Sequence, residues 1–265
     1  MYLHEFVDTT RCMISKKMIS GIRALHLDKH RKEQQLFIAE GEKVVRELLN
    51  SEINVKTIYG TGQFGISEIS IQPQTEFHEI TEAELLKISI LHTPNKVIAI
   101  AERPTPQVFN FETTSSLILL LDGIKDPGNL GTLIRTADWF GLRTIFCSED
   151  CVDAYNPKVV QSAMGSLFRM NVYYESLPEV ISRAKLTGGY FVTGASADGI
   201  PYYECQTGKP MLLVIGSESH GMSPGVLKVV DVKAGIPRAP GSVAESLNAG
   251  IAGALLMAHF QNSGK

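Results

Sequence analysis

The stretch from Leu117 to Gly141 constrains the fold of this chain more than any other part of the sequence. It reads LILLLDGIKDPGNLGTLIRTADWFG, an apolar run followed by an Asp, Gly and Pro cluster and then a segment with helical periodicity. This order predicts a buried strand, a tight loop and a helix. Asn129 then lies at the start of the helix, where asparagine suits the N-cap, and Arg135 follows about one and a half turns later. Trp139 is predicted to lie in the core.

The same alternation of apolar strands and helices continues to the end of the chain. The predicted strands are Ser116–Leu121, Thr144–Cys147, Val172–Tyr174, Tyr190–Thr193 and Met211–Ile215. The predicted helices are Leu130–Phe140, Pro157–Leu167, Leu177–Lys185 and Ala244–Phe260. Ser242 and Glu245 have the spacing of a capping box for the last of these helices. The pattern predicts a parallel sheet covered on both faces, with ligands bound beyond the carboxyl ends of its strands, where turns at Gly123, Gly194 and Gly216 fall.

The N-terminal part of the chain has a shorter α/β pattern of its own. Strands are predicted at Leu36–Ala39, Val55–Tyr59 and Val97–Ala101, and helices at Glu42–Asn50 and after Thr81, which forms a capping box with Glu84. A stretch rich in Pro, Thr and Ser follows, which is typical of a linker. We therefore expect residues 1–103 to form a small α/β domain, residues 104–115 a linker and residues 116–265 the parallel-sheet domain.

Positive charge is concentrated near the N-terminus. Between Arg11 and Lys32 there are seven lysines and arginines and one acidic residue, Asp28, whereas the whole chain has a formal net charge of −3. Such a segment is either a solvated helix face or a surface that binds phosphates. The candidate RNA-binding residues are Lys16, Lys17, Arg23, Arg31 and Lys32.

Motifs of several other enzyme classes are absent or incomplete. Gly123 and Gly128 have the glycine spacing of a P-loop, but Asn129 follows where an ATPase needs lysine. The glycines also do not fit the dinucleotide-binding spacing, and there is no GxSxG sequence of the α/β hydrolases. His26 and His30 are four apart but lack the glutamate of an HExxH site, so no metal site is predicted.

Cysteine usage and hydropathy indicate a cytoplasmic protein. The four cysteines contain no CxxC pair, and free thiols are expected in a reducing compartment. The N-terminal sequence has no apolar signal core, and the longest apolar segment, Ala249–Phe260, is too short to span a membrane. We therefore expect no membrane partner.

Three segments resemble the signature motifs of the SpoU (TrmH-like) RNA 2′-O-ribose methyltransferases of the SPOUT superfamily. Motif 1 (122–141) reads DGIKDPGNLGTLIRTADWFG, motif 2 (212–223) reads LLVIGSESHGMS and motif 3 (236–256) reads IPRAPGSVAESLNAGIAGALL. They occur in the family's order and at its separations, and the resemblance covers roughly Ser116 to Gln261. The N-terminal region is similar to the substrate-binding domain that is often fused to this family and that resembles a ribosomal-protein RNA-binding fold.

The resemblance implies a fold, a cofactor and a set of site residues. The implied fold has a trefoil knot in the C-terminal domain, the implied cofactor is S-adenosylmethionine, and the implied assembly is a homodimer. The residues that match the family's catalytic positions are Asn129, Arg135, Glu218, Ser246 and Asn248. The residues implied to hold the cofactor are Gly216, Ile236 and Leu247, through their backbones, with Ala195 lining the same pocket.

The function implied is S-adenosylmethionine-dependent 2′-O-methylation of a ribose in RNA. Methyl transfer needs a donor and a hydroxyl held in line, a place for the proton and no metal. The family's motif-1 arginine has been given the role of activating the hydroxyl, but a guanidinium remains protonated, so Arg135 is better suited to bind phosphate and steady the developing alkoxide. Ribosomal RNA is favoured as the substrate. Transfer RNA, a resistance-conferring ribosome modification and a catalytically silent ribosome-assembly factor stay open.

Overall fold

The computed structural model describes residues 13–65, 71–91, 93, 95–105, 107–113, 117–205 and 210–262. These residues form two compact units. The first contains the described residues of Met1–Thr105 together with Tyr155–Phe168, and the second contains those of Pro106–Ala154 and Arg169–Lys265. Tyr155–Phe168 therefore belongs to the first unit, although the sequence pattern assigns it to the parallel-sheet domain.

The helices and strands are numbered in chain order over the described residues. The helices are α1 (Lys16–Ala24), α2 (Asp28–Gln34), α3 (Glu42–Leu49), α4 (Glu82–Ile88), α5 (Pro127–Trp139), α6 (Pro157–Ala163), α7 (Leu177–Gly188), α8 (Pro224–Leu227) and α9 (Ala249–Asn262). The strands are β1 (Leu36–Glu40), β2 (Val55–Gly60), β3 (Glu76–Glu79), β4 (Val97–Glu102), β5 (Ile118–Asp122), β6 (Thr144–Cys147), β7 (Asn171–Tyr174), β8 (Phe191–Pro201), β9 (Met211–Gly216) and β10 (Val232–Gly235).

The first unit is built on a mixed sheet with the order β1-β4-β2-β3. β4 pairs antiparallel with both β1 and β2, and β2 pairs parallel with β3. One core includes Ile22 of α1, Leu85 of α4 and Ile38 of β1. The neighbouring side chain Phe37 points to the other face, because side chains alternate along a strand, and its ring lies 4.9 Å from that of Tyr155. α6 packs against β1, which accounts for the inclusion of this segment in the first unit.

The second unit is built on a parallel sheet with the order β10-β8-β9-β5-β6-β7. Every described strand pair in it is parallel, and β5 lies between β9 and β6. Leu119 and Leu120 are both fully buried although they point to opposite faces. The sheet is therefore covered on both sides, as the run of apolar residues predicted. α7 and α8 contribute to the core on one face.

The element boundaries confirm most of the sequence pattern and correct two parts of it. The capping box of α4 is present, with Thr81 and Glu84 each bonded to the other's backbone N–H. The final helix begins at Ala249 and not at Ala244, and Ser242 lies in the irregular segment before it. The short strands β3 and β10 were not predicted. No helix among the described residues has the length and apolarity needed to cross a bilayer.

Candidate active site

The motif-1 helix is fixed by Asp126, one residue before its first turn. The Asp126 carboxylate accepts a hydrogen bond of 2.8 Å from the backbone N–H of Asn129, and Pro127 fills the first helical position. Asp126 is therefore the N-cap, and the assignment of Asn129 to that role is wrong. Since the cap is supplied by another residue, the Asn129 side chain is available to bond elsewhere. An Asp-Pro pair before an apolar segment is the signal that could have identified this cap.

The motif-2 turn is tightly folded after β9. The backbones of Ser217 and Gly221 exchange two hydrogen bonds, of 3.0 and 2.9 Å, across the turn. Gly221 has φ of +65°, a conformation that suits glycine. A Cβ on Gly216 would lie 2.2 Å from the Gly221 carbonyl carbon, so that position also requires glycine. The turn thereby carries Glu218 at its exposed tip.

A single carboxylate oxygen of Glu218 joins the three motifs. Its Oε1 accepts hydrogen bonds from Asn129 Nδ2 at 2.9 Å and from Asn248 Nδ2 at 2.6 Å. The backbone N–H of Ala249 donates to the same oxygen at 3.3 Å, so the carboxylate also lies at the N-terminus of α9. Asn248 Nδ2 in addition donates to Asn129 Oδ1 at 2.8 Å. Three of the residues matched to catalytic positions thus form one hydrogen-bonded cluster.

Asn248 has a second role as the cap of the last helix. Its Oδ1 accepts a hydrogen bond of 3.2 Å from the backbone N–H of Ile251, which is one of the unsatisfied donors of the first turn of α9. The expected capping box at Ser242 and Glu245 is therefore wrong, because both residues precede the helix in an extended loop. The loop is closed internally by Arg238, whose Nη1 donates to the Ala244 carbonyl at 2.7 Å.

Two of the matched catalytic residues lie outside the cluster. Arg135 is exposed on α5, and none of the hydrogen bonds or ion pairs seen among the described residues involves its guanidinium. Ser246 is exposed in the motif-3 loop and lines the cavity described below. The site therefore consists of a hydrogen-bonded amide–carboxylate cluster and, on α5, the long exposed cationic side chain of Arg135.

A cavity of about 830 Å³ lies between the end of β8, the motif-2 turn and the motif-3 loop. Ala195, Gly216, Ile236 and Leu247, the residues expected to hold a cofactor, all contribute to its wall. Glu218 lines the cavity as well. The site thus places the amide–carboxylate cluster at the boundary between the cavity and the start of α5.

Two residues that the sequence pattern did not identify hold the motif-1 loop in place. The carboxylate of Asp122, which is 5% exposed, accepts a hydrogen bond of 2.6 Å from the Ser223 backbone N–H and so connects motif 1 to motif 2. The Cys151 thiol accepts a bond from the Ile124 N–H at 3.2 Å and donates to the Leu121 carbonyl at 3.3 Å. Its hydrogen bond to Cys147, together with burial, raises the pKa of the Cys147 thiol.

In the first unit, the basic segment forms α1 and α2 with a break between them. Lys16, Lys17 and Arg23 on α1 and Lys32 on α2 are exposed. Arg31 is not, with only 1% of its surface accessible. Its Nη1 donates to the carbonyls of Leu25 and His26 at 3.1 and 2.9 Å, at the end of α1.

The RNA-binding role predicted for Arg31 is therefore corrected to a structural one. Its guanidinium is occupied by backbone carbonyls and is inaccessible to a phosphate in this conformation. Burial and the adjacent charges of Arg23 and Arg31 lower the pKa of His26, which lies between the two helices. No group of three or more His, Cys, Asp or Glu that could hold a metal was found in the part of the chain that the structure describes.

Two solved structures of similar proteins identify the class to which this chain belongs. A putative RNA methyltransferase of the TrmH family from Porphyromonas gingivalis has a fold with a TM-score of 0.85 and 34% identity, covering 94% of this chain and 98% of that chain. An rRNA methyltransferase from Sinorhizobium meliloti, solved with AdoMet bound, has a TM-score of 0.81 and 27% identity over 92% of this chain and 94% of that chain. The fold is therefore that of a two-unit RNA methyltransferase.

The chain belongs to the SpoU rRNA Methylase family, whose model matches residues 116–258. The model of the MRM3-like substrate binding domain matches residues 16–99. The 23S rRNA (guanosine(2553)-2′-O)-methyltransferase RlmP of Bacillus subtilis is 31% identical, and the match covers 90% of this chain and 94% of that protein.

Proposed function

We propose that this chain transfers the methyl group of S-adenosylmethionine to a ribose 2′-hydroxyl of ribosomal RNA. The observation that carries the proposal is the cluster of Asn129, Glu218 and Asn248, which joins a cavity of about 830 Å³ to the helix that bears Arg135. Similarity to RlmP over 90% of the chain favours ribosomal over transfer RNA, because that relative acts on 23S rRNA. We also propose that the protein acts in the cytoplasm.

The cavity suits the proposed methyl donor in size and in chemistry. Its volume falls within the range of about 300–1,000 Å³ that is usual for small-molecule sites. Ala195, Ile236 and Leu247 give it apolar surface suited to an adenine ring, and the half-buried Gly216 contributes to its wall. When bound there, S-adenosylmethionine would supply an activated methyl group from its sulfonium; after transfer to the 2′-oxygen, S-adenosylhomocysteine would remain and the hydroxyl proton would pass to solvent.

The residues of the chain then have to align the hydroxyl and manage its charge. We assign Glu218 a positioning role, because its Oε1 already accepts three N–H groups and keeps motifs 1, 2 and 3 in register. We assign Arg135 the binding of the target nucleotide's phosphate and the stabilisation of negative charge on the 2′-oxygen. Ser246 lines the cavity two residues before Asn248, so its hydroxyl group lies in the same loop as the cluster.

A silent ribosome-assembly factor is the second candidate for this fold. In that case the basic face of α1 would bind RNA, and the donor cavity would have no function. Against it, Asn129, Glu218 and Asn248 are hydrogen-bonded to one another although they come from three segments far apart in sequence. A protein without methyl transfer has no need for this cluster beside a cavity of cofactor size.

We propose that the active protein is a homodimer. The support is on α9, where Ile251 and Leu255 follow each other after one turn and are 54% and 46% exposed. Large apolar side chains repeated on one helix face favour burial against another subunit. Light scattering should give twice the chain mass for the wild-type protein, and Leu255→Glu should give monomers.

The trefoil knot is part of the same proposal. β10 is at one edge of the parallel sheet, whereas α9 packs on α5 and against β9 and β8. The motif-3 loop between Gly235 and Ala249 therefore runs from the end of this edge strand, past β8, to the side of β9. This course is compatible with a chain that threads through the loops around the cavity.

Two measurements test the proposed function. Isothermal titration with S-adenosylmethionine measures donor binding, and transfer of a labelled methyl group to 23S rRNA from a strain that lacks the gene measures turnover. Primer extension at low nucleotide concentration then locates the modified ribose. Incorporation into transfer RNA alone would identify transfer RNA as the substrate. The absence of both donor binding and methyl incorporation into either RNA would support the silent-factor function.

Arg135→Ala separates catalysis from donor binding. Turnover should fall at least about 100-fold, because a charged group at the developing oxyanion is removed, while the donor Kd stays unchanged. Arg183→Ala, on α7 and paired with Glu175, is the matched control and should retain turnover. Near-normal turnover of Arg135→Ala would refute the role given to this residue.

A further inference from the structure

Trp139 stands on the surface of the motif-1 helix, contrary to its predicted place in the core. Its side chain is 84% exposed at the last residue of α5. Arg135 precedes it by four residues, so the two side chains lie on one face of the helix. A tryptophan in this position gains nothing from core packing, and its exposed aromatic face, one helix turn after an arginine, is available to bind a partner.

Two arginines bind Asp138, the residue that precedes Trp139 in the sequence. Arg143 Nη1 donates to Asp138 Oδ1 at 2.9 Å, and Arg169 Nη2 donates to Asp138 Oδ2 at 2.8 Å. The Arg143 and Arg169 side chains remain 57% and 41% exposed. Asp138 thus holds two guanidinium groups at the end of α5 where Trp139 lies, and Arg135 adds a third on the same helix.

We propose that Trp139 and these arginines form a stacking surface for an unpaired base of the substrate RNA. This inference rests on the proposed function and adds a contact outside the residues matched to the family motifs. An exposed indole stacks on any base, and arginines beside it bind the flanking phosphates. Three arginines against one aspartate complement RNA, although the chain as a whole has a net charge of −3.

The position on α5 determines which nucleotide makes this contact. Trp139 is ten residues after Asn129, which at helical rise corresponds to ~15 Å along the axis. The stacked base is therefore a neighbour of the target nucleotide and not the target itself. Trp139 is a substrate-binding residue in this assignment, and it touches neither the donor cavity nor the reacting hydroxyl.

A second copy of the chain fits this surface less well than RNA does. A twofold contact centred on Trp139 would place the same arginines of two copies against each other. Like charges at close range oppose such a contact. The apolar residues Ile251 and Leu255 on α9 have no such charges adjoining them in sequence, and they remain the proposed dimer contact.

The sequence supplies its own spectroscopic probe, because Trp139 is the single tryptophan of the chain. An unstructured RNA of about 12 nucleotides, titrated into the full-length protein, should quench its fluorescence as a base stacks on the indole. The quenching should weaken as salt is raised, because the flanking arginines displace counterions from phosphates. Fluorescence that is unchanged by RNA at a concentration that saturates binding would overturn the proposal.

Variants extend the test to substrate recognition. Trp139→Ala should raise the KM for 23S rRNA roughly 5- to 100-fold, the loss expected for one stacked base, and Trp139→Phe should restore most of it. The donor Kd should not change. Leu186→Ala, which removes a side chain that is 87% exposed on α7, is the control and should leave the KM for RNA unchanged.

The outcomes distinguish this inference from the proposed function. Methyl transfer with an unaltered KM in Trp139→Ala would overturn the stacking surface alone. Quenching by RNA without any methyl transfer would keep the stacking surface and overturn the proposed reaction. A Trp139→Ala protein that has become monomeric would assign Trp139 to the contact between copies and so overturn its assignment to RNA.

Discussion

Asn248 Nδ2 lies 2.6 Å from Glu218 Oε1, and the same asparagine caps α9 through its Oδ1. One side chain therefore ties the start of the last helix to the motif-2 turn. Asn129 Nδ2, at 2.9 Å from the same carboxylate oxygen, adds the motif-1 helix. The positions of three segments that are far apart in sequence thus depend on a single acidic group.

Glu218→Gln tests how much this geometry contributes to catalysis. The amide keeps the size of the side chain but loses the charge that strengthens the hydrogen bonds from Asn129, Asn248 and Ala249. The helix that bears Arg135 would then be less well fixed, and we expect kcat to fall about 100-fold. The measurement is the steady-state rate of methyl transfer to 23S rRNA at saturating donor.

The control for this variant is Glu179→Gln, an exposed glutamate of α7 in the same unit. It should retain the wild-type rate. The urea-unfolding midpoint of Glu218→Gln should remain near that of the wild-type protein, because Glu218 is exposed. A loss of rate that is matched by an equal loss of stability would argue against a positioning role.

Local sequence patterns predicted the parts of the fold that depend on local interactions. The strand before the motif-1 loop is a run of apolar residues that only a sheet covered on both faces can bury. The structure contains this strand as β5, which is buried throughout. The capping box of Thr81 and Glu84 needs only residues three apart, and it is present. By contrast, Tyr155–Phe168 joins the first unit through contacts with β1, which sequence periodicity does not encode.

The candidate site shows the same limit. Motif resemblance identified Asn129, Glu218 and Asn248, but the hydrogen bonds among them could not be read from the sequence, because they join residues 30 to 119 positions apart. Arg31 was assigned to the basic face by charge alone. Charge in a sequence does not show whether a guanidinium faces solvent or the carbonyls of a helix end.

Salt dependence distinguishes an RNA-binding helix from a merely solvated one. Lys16 and Lys17 are exposed in the first turn of α1, and each phosphate contact releases counterions. Each of Lys16→Ala and Lys17→Ala should weaken RNA binding and lower the slope of log K against log salt by about one. Filter binding of 23S rRNA at several salt concentrations measures this slope.

Lys43→Ala provides the comparison, since Lys43 is exposed on α3, outside the basic segment. Its salt slope should equal that of the wild-type protein. Equal slopes for all three variants would mean that α1 is a solvated helix and that RNA binds elsewhere.

Arg31→Met should reduce stability and should not act through loss of an RNA contact. The substitution leaves the carbonyls of Leu25 and His26 without their guanidinium donor in a buried position. Unsatisfied buried acceptors destabilise by about 1–3 kcal/mol each, so we expect the free energy of unfolding to fall by about 3 kcal/mol. Urea denaturation followed by circular dichroism measures the change.

Lys29→Met, on the same helix, is the control. The Lys29 side chain is 77% exposed and lies 3.8 Å from Glu33, so its loss should alter stability by less than about 0.5 kcal/mol. If Arg31→Met instead kept full stability and lost RNA affinity, Arg31 would have to leave its buried position when RNA binds.

The capping box of α4 predicts a pH-dependent contribution to stability. Hydrogen bonds from the Thr81 backbone and side chain lower the pKa of Glu84 from its ordinary value of 4.5, and a further bond of 3.1 Å comes from the Ile14 N–H. Because the pKa is lower in the folded state, the stabilisation is complete above pH 4.5 and is lost as the pH falls through the folded-state pKa. Glu84→Gln should therefore lower the free energy of unfolding by about 1 kcal/mol near pH 7 and by progressively less below pH 4.5. Urea titrations of both proteins across this range measure the difference, with Glu82→Gln, which has no part in the capping box, as the control. A difference that does not depend on pH would show that the Glu84 carboxylate contributes by its shape and not by its charge.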